Sequence, residues 1–130
     1  MSAVQQAIAS YGAAAGGPTY ATWDPSNKGA GVTLTLSNLR ATNTSGINEL
    51  VKSTLGKSTG KWYWEITVQT VREDLGVANS TQSTSGFVGD SPNSTGYNSS
   101  GVIFRNSASL SAAASYTTGD VIGFALDMGA

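Results

Sequence analysis

The clearest pattern in the chain is a two-residue alternation of apolar and polar positions in the segment GKWYWEITVQTV, residues 60–71. The apolar series is Trp62, Trp64, Ile66 and Val68, and the intervening series is Tyr63, Glu65, Thr67 and Gln69. Side chains two residues apart share one face of a β-strand. The segment is therefore predicted to be a strand with an aromatic, aliphatic face in the core and the other face toward solvent.

Other segments carry shorter strand patterns. VTLTLSNLRAT places Val32, Leu34 and Leu36 on one face, which predicts a half-buried strand, a tight turn at SNL and a returning strand. Short strands are also predicted at 75–80 and 102–106, and VIGFALD (121–127) is predicted to be a strand covered on both faces. The segment INELVKSTLG holds either a strand or a single helical turn.

Turn signals separate these segments. Asp24–Pro25 is predicted to be a turn, and 90–100 and 106–115 are predicted to be loops. Short strands with a turn signal every 8–12 residues or so are typical of an antiparallel β-sandwich. The sequence body offers no helix of about ten residues, so the predicted fold class is all-β and α/β folds are excluded.

The first 17 residues follow a different pattern. Val4, Ile8 and Tyr11 have helical spacing, and Gly16–Gly17 separates them from the strand-like body. We therefore predict two parts, an N-terminal docking arm over 1–17 and one sandwich over 18–130. The arm is expected to pack on a neighbouring chain through Val4, Ile8 and Tyr11, and the alternative is a frayed terminus.

Composition narrows the chemistry. The 130 residues include no Cys and no His, which excludes disulfides, thiolate metal sites and catalysis by histidine. Seven scattered basic residues and a net charge of −1 make no basic patch for nucleic acid. No apolar run approaches the ~20 residues that cross a bilayer. No cofactor, metal, nucleic acid or membrane insertion is expected, and Ser, Thr, Asn and Gly provide a neutral polar surface.

The carboxylates do not form a catalytic pattern. Glycoside hydrolases need two acidic residues flanking the scissile bond, whereas Glu65 has no acidic partner at alternate strand positions. Asp120 and Asp127 border a strand and are interpreted as turn and surface residues. Glu73 and Asp74 are adjacent in a turn, which is typical of a solvated face. We expect no enzymatic activity.

Four segments in order resemble the SPRY domain. They are GKWYWEITV (60–68), LGVA (75–78), GYNSSGVIF (96–104) and YTTGDVIGFALDM (116–128). The last segment is the most specific motif. The upstream TWDPSNKGAGVTLTLSNLRAT is similar to the region that precedes the domain in SPRY-like proteins of tailed bacteriophages and prophages. The resemblance implies a bent sandwich of two antiparallel sheets that binds protein or peptide partners through loops at one edge.

The resemblance also implies where a partner binds. The candidate loops are 41–47, 79–86, 90–100 and 106–115, which are rich in Ser, Asn, Thr and Gly. The candidate binding residues are Phe87, Asp90, Asn93, Tyr97, Asn98 and Tyr116.

Two roles follow from these observations. The first is a structural virion component of a tailed phage, a fibre or decoration protein anchored by the arm, made in the host cytoplasm, released by lysis and homo-oligomeric in the particle. The alternative is a host-surface recognition module that binds a protein or glycan through its loops. The resemblance to the SPRY domain also implies further strands after the Leu126–Asp127 strand. We expect either that the chain is part of a longer protein or that another chain supplies those strands.

Overall fold

The computed structural model describes residues 20–71 and 73–129, which form β-strands, turns and loops. The strands are β1 (Trp23–Lys28), β2 (Val32–Thr35), β3 (Arg40–Asn43), β4 (Val51–Ser53), β5 (Lys61–Thr67), β6 (Leu75–Ala78), β7 (Ser94–Tyr97), β8 (Val102–Arg105), β9 (Ala108–Ala112) and β10 (Val121–Asp127). Every strand pairing is antiparallel. The predicted fold class, an all-β antiparallel sandwich, is confirmed.

The main core lies between two layers, a two-stranded ribbon of β5 and β10 and a four-stranded sheet. β5 and β10 pair along their whole length, with Phe124 opposite Trp64. β6, β7, β8 and β9 form a four-stranded sheet in that order. The pairs β1–β4 and β2–β3 complete the described strands.

The main core lies between the ribbon and the four-stranded sheet. Trp64, Ile66 and Val68 of the ribbon side are at most 3% exposed and cluster with Leu75 and Tyr116. Tyr63, between the buried positions, is 53% exposed. The alternation in residues 60–71 therefore predicted both faces of β5 correctly. A second buried cluster joins the first four strands through Trp23, Val32, Ala41 and Val51.

The predicted turn at Asp24–Pro25 is wrong, because β1 runs through both residues. The Asp24 carboxylate accepts the Ser26 backbone N–H at 2.8 Å, a local bond that also occurs in turns. Proline is tolerated here because β1 is an edge strand that pairs with β4 through an irregular register. The chain reverses instead between β1 and β2.

Leu36 does not continue the buried face of Val32 and Leu34. It begins the β2–β3 turn with φ of 53° and is 68% exposed. Ser37 and Asn38 are also left-handed, with φ of 54° and 64°. The apolar alternation of the sequence extends past the end of β2 into the turn. There the left-handed backbone directs the Leu36 side chain toward solvent.

Two predicted loops contain strands. β7 lies inside 90–100, and β9 lies inside 106–115. β7 is Ser-Thr-Gly-Tyr and every residue of β9 is exposed, so neither carries an apolar period that identifies a strand. The segment INELVKSTLG, residues 47–56, holds a strand, β4, rather than a helical turn.

β10 is a strand as predicted, but it is not covered on both faces. Ile122, Phe124 and Leu126 are half-buried, while Val121 is 57% exposed. Within the described part of the chain, β5 is the strand that pairs with it. No described segment forms an apolar helix long enough to cross a membrane.

Candidate functional site

Three loops meet at one end of the sandwich. The Leu50 N–H donates to the Thr84 carbonyl at 3.0 Å, and the Gly86 N–H donates to the Asn48 carbonyl at 2.9 Å. The Asn79 N–H donates to the Asn93 carbonyl at 2.9 Å. These bonds bring residues 44–48, 79–86 and 90–93 together, so segments far apart in sequence form one surface.

The β8–β9 turn joins the same end. The Asn106 N–H donates to the Ser91 carbonyl at 3.2 Å, and the Ser107 N–H donates to the Gly89 carbonyl at 2.8 Å. We call the combined region, residues 44–48, 79–86, 90–93 and 105–107, the loop surface.

A buried glutamine organises the middle of the loop surface. Gln82 is 4% exposed, and its Nε2 donates to Asp90 Oδ1 at 3.0 Å. Its Oε1 accepts the hydroxyls of Ser91 at 2.6 Å and Ser94 at 2.9 Å. A buried polar group with its bonds satisfied stabilises one loop conformation, because any rearrangement leaves it unpaired.

A buried carboxylate fixes the neighbouring loop. Glu49 is 7% exposed, and its Oε2 accepts the Gly31 N–H at 2.9 Å and the Ser45 hydroxyl at 3.0 Å. A Cβ on Gly31 would overlap both of these side chains, so glycine is required where the β1–β2 connection approaches Glu49. The loop 44–48 is thereby anchored at its base.

The outer face of the loop surface is polar and nearly uncharged. Ile47 is its large exposed apolar side chain, at 62% exposure. The exposed polar residues of the loop surface include Thr44, Ser45, Asn48, Ser80, Thr81, Ser83, Ser85, Asn106 and Ser107. Arg105 donates through Nε and Nη2 to the Pro92 carbonyl, at 3.0 and 2.6 Å. Lys52 donates to the Ser80 carbonyl at 3.1 Å, and partial burial lowers its pKa.

Three of the predicted binding residues lie at this end, and each has an internal contact. Asp90 accepts from Gln82, and Asn93 Oδ1 accepts from Asn79 Nδ2 at 3.2 Å. Phe87 packs on Phe104 with the ring centres 5.8 Å apart. These contacts shape the loops, and the role of the three residues in partner binding stays a prediction.

The other three predicted residues lie at the opposite end of β7. Tyr97 and Tyr116 pack edge to face with ring centres 5.0 Å apart, and Tyr116 is 5% exposed. The Tyr116 hydroxyl donates to the carbonyls of Tyr97 and Glu73, and burial raises its pKa. Asn98 Oδ1 accepts the backbone N–H of Ser100 and Val102 within its own loop. The six candidates therefore form two groups rather than one site.

The predicted docking residues Val4, Ile8 and Tyr11 lie outside the described residues.

The carboxylates have structural partners. Glu65 accepts the Tyr63 hydroxyl at 2.8 Å, and Asp127 pairs with Lys61 at 3.0 Å, which lowers the Asp127 pKa. Asp120 accepts the Thr117 N–H at 2.8 Å. Across residues 20–71 and 73–129, no three acidic side chains converge in a way that could hold a metal ion.

Glu73 differs from these carboxylates because its pKa is strongly raised. Burial raises its pKa to about 7, although backbone N–H groups of Thr70 and Gln69 stabilise the charged form. Its Oε2 is buried without a hydrogen-bond partner. Glu73 lies in the β5–β6 connection, and its carbonyl accepts the Tyr116 hydroxyl at the end of β7 opposite the loop surface.

Sequence reasoning missed the residues that define the loop surface. Gln82 and Glu49 gave no signal, because a polar residue in a polar loop does not reveal its burial. Ile47 was detectable as an isolated apolar residue in the segment TNTSGINE.

The fold is an antiparallel β-sandwich that presents internally bonded loops at one end, and binding residues are often carried by loops of this kind. A sequence-family model of the SPRY domain matches residues 61–130, more than half of the chain. The chain therefore belongs to the SPRY domain family, a family of protein-interaction domains. A comparison with curated proteins gave no match.

Proposed function

We propose that the chain binds a protein partner through the loop surface. The observation that carries the proposal is the convergence of residues 44–48, 79–86 and 90–93, on a base fixed by Gln82 and Glu49, with Ile47 exposed in the first of these loops. Loops that are ordered before binding lose little conformational entropy when they bind. Protein interfaces also commonly combine an apolar anchor with polar residues, and the loop surface offers both.

A protein partner fits this surface better than a glycan. Sugar sites commonly stack a ring on an exposed aromatic side chain. The exposed tyrosines among the described residues, Tyr20 and Tyr63, lie outside the loop surface, and Phe87 is half-buried against Phe104. Ser, Thr and Asn side chains with one aliphatic anchor suit the backbone and side chains of a protein.

The test is selection followed by matched substitution. Peptides selected from a random displayed library against the full chain are measured for affinity to the wild type, Ile47→Ser and Leu39→Ser. Leu39 is 64% exposed on the β2–β3 turn, at the opposite end of β3, and serves as the control. We expect Ile47→Ser to weaken binding by about tenfold and Leu39→Ser to leave it within about twofold. Equal losses, or no loss for Ile47→Ser, would contradict the proposal.

We further propose that the protein is a virion component of a tailed phage, attached to the particle through residues 1–17. What supports this proposal is the neutral Ser/Thr/Asn/Gly composition and the change from helical to strand-like spacing at Gly16–Gly17. Deleting residues 2–15 should abolish incorporation into particles and leave the melting temperature unchanged. A deleted protein that is incorporated normally would refute the docking arm.

A further inference from the structure

The segments of the loop surface lie in a row. Backbone hydrogen bonds join 44–48 to 79–86, 79–86 to 90–93, and 90–93 to the turn 105–107. Bonds between side chains additionally hold the junction of 79–86 with 90–93. A partner that lies across this row meets parts of the chain that are distant in sequence. Its affinity therefore depends on how the segments are placed relative to one another.

The Gln82 amide uses its whole hydrogen-bonding capacity at this junction. Its Nε2 donates to Asp90 Oδ1 at 3.0 Å and to the Ser83 carbonyl at 3.2 Å. Its Oε1 accepts the hydroxyls of Ser91 at 2.6 Å and Ser94 at 2.9 Å. A side-chain amide offers two donor hydrogens and one acceptor oxygen with two lone pairs. A movement of either segment would therefore leave a buried donor or acceptor without a partner.

Asp90 extends this network toward the loop that carries Ile47. Its second carboxylate oxygen lies against Gly86, where a Cβ would overlap it. Gly86 has φ of 109°, which glycine adopts without strain. The Gly86 N–H donates to the Asn48 carbonyl at 2.9 Å. The placement of the Asp90 carboxylate therefore limits the placement of the residue next to Ile47.

Gln82 itself is not available to a partner. It is 4% exposed, and the bonds of its amide go to residues within 83–94, a segment that the structure describes throughout. A partner can contact exposed neighbours such as Ser83 but not the Gln82 amide. Any effect of Gln82 on affinity must therefore act through the loops that it holds.

We propose that Gln82 is a positioning residue for partner binding. It fixes 79–86 against 90–93 and, through Asp90, against 44–48, so the partner meets a surface that is ordered before it binds. Order in advance lowers the conformational entropy lost on association. The proposal rests on the proposed function, binding of a protein at the loop surface, and specifies a partner whose contacts extend over more than one segment.

Gln82→Glu removes the donor that bonds to Asp90. It replaces the amide nitrogen with a carboxylate oxygen, and two carboxylates about 3 Å apart disfavour the ionisation of both. At about pH 8.5 their repulsion should separate the two loops. At about pH 5 the new carboxyl holds a proton and donates it to Asp90, as the amide does. Lowering the pH should therefore restore the positioned loops in this variant.

The probe is the set of peptides selected from a random displayed library against the full chain. For each peptide the dissociation constant of the variant is divided by that of the wild type at the same pH. We expect a ratio of at least about ten for Gln82→Glu at pH 8.5 and of less than about three at pH 5. Taking the ratio removes pH effects that the two proteins share.

Two further variants make the comparison specific. Gln69→Glu adds the same charge at an exposed position after β5, and its ratio should stay within about two at both pH values. Combining Gln82→Glu with Asp90→Asn supplies a donor to the new carboxylate and should recover most of the affinity at pH 8.5 or so. Among the groups bonded to the Gln82 amide, Asp90 is the one that titrates. Lys52 and Arg105 bond to backbone carbonyls of the same loops.

The outcomes separate this proposal from the proposed function. Peptides that lose affinity for Ile47→Ser but bind Gln82→Glu like the wild type would overturn the positioning role alone. Peptides that respond to Gln82→Glu, with recovery under both conditions, but not to Ile47→Ser would contradict the proposed function and support the positioning role. Loss in Gln82→Glu without recovery at the lower pH or in the double variant would overturn the positioning role, because misfolding then explains it. A selection that yields no peptide would contradict both.

Discussion

At the scale of a single residue, Trp64 is the largest fully buried side chain in the core between the β5–β10 ribbon and the four-stranded sheet. It is 2% exposed and stacks on Phe124 of the paired strand, with parallel rings 5.1 Å apart. Trp64→Ala removes this contact and leaves a cavity beneath the ribbon. We expect the free energy of unfolding in urea to fall by about 3–5 kcal/mol, a large part of the stability of an ordinary domain.

The neighbouring Tyr63 is the control. It is 53% exposed on the opposite face of the same strand. Tyr63→Ala should cost less than about 1 kcal/mol. Similar costs for the two variants would show that β5 does not have one buried and one exposed face.

Glu73 makes stability depend on pH. Its pKa is raised from 4.5 to about 7 by burial, so the protonated form is favoured in the folded state. The stabilisation is complete below pH 4.5 or so and is lost as the pH rises through about 7. The full shift corresponds to about 3 kcal/mol, and partial exposure of the carboxyl reduces the expected loss to about 1–2 kcal/mol.

Glu73→Gln tests this cause of the pH dependence. The amide keeps an acceptor for the Thr70 and Gln69 N–H groups and cannot ionise. Urea unfolding at pH 4.5 and 7.5 should show a smaller difference in this variant than in the wild type. Glu65→Gln, on the exposed face of β5, should keep the wild-type difference. An unchanged difference in Glu73→Gln would assign the pH dependence to other groups.

The β2–β3 turn is an element that carries local strain. Leu36, Ser37 and Asn38 have φ of 53°, 54° and 64°, a region that costs non-glycine residues about 1–2 kcal/mol each. Leu36 is also 68% exposed, so its side chain contributes little packing. Leu36→Gly should raise the free energy of unfolding by about 0.5–1 kcal/mol.

Leu39→Gly is the matched change in the same turn. Leu39 is similarly exposed but does not have a positive φ, so glycine there only adds freedom to the unfolded chain. It should lower the thermal midpoint, whereas Leu36→Gly should raise it. Shifts in the same direction would contradict the assignment of strain to Leu36.

Strands whose apolar residues alternate with polar ones were predictable from the sequence. Strands without that alternation, which depend on pairing with their neighbours, were not. β5 carries a buried Trp64 between exposed neighbours, so its sequence reveals both its conformation and its faces. β7 and β9 have Ser, Thr, Gly and Ala at most positions, and they are strands because β8 lies between them and pairs with both. Propensity alone predicts loops there, and tertiary pairing overrides it.

The loop surface was predictable only in part for a related reason. The polar composition of residues 79–86 and 90–93 indicated loops. Which loops meet depends on long-range bonds, such as Leu50 to Thr84 and Asn106 to Ser91, that no local pattern encodes. The predicted set therefore mixed Asp90 at one end of β7 with Tyr116 at the other.

At the scale of the whole molecule, low charge should make stability nearly independent of simple salt. The chain has seven basic and eight acidic residues in 130, and the Lys61–Asp127 pair has side chains 83% and 58% exposed. Exposed pairs of this kind contribute little and are screened easily. Raising sodium chloride from about 0.05 to 0.5 M should change the free energy of unfolding by less than about 0.5 kcal/mol.

Sodium sulfate at the same ionic strength separates two effects of salt on stability, the screening of charges and the strengthening of apolar burial. Sulfate is excluded from protein surfaces and strengthens the burial of apolar groups such as Trp64 and Val68. It should raise the urea midpoint clearly where chloride does not. Lys61→Gln should leave both responses unchanged, because the ion pair is exposed. A large chloride effect that disappears in Lys61→Gln would mean that this pair, rather than the packed core, connects the two strands of the ribbon.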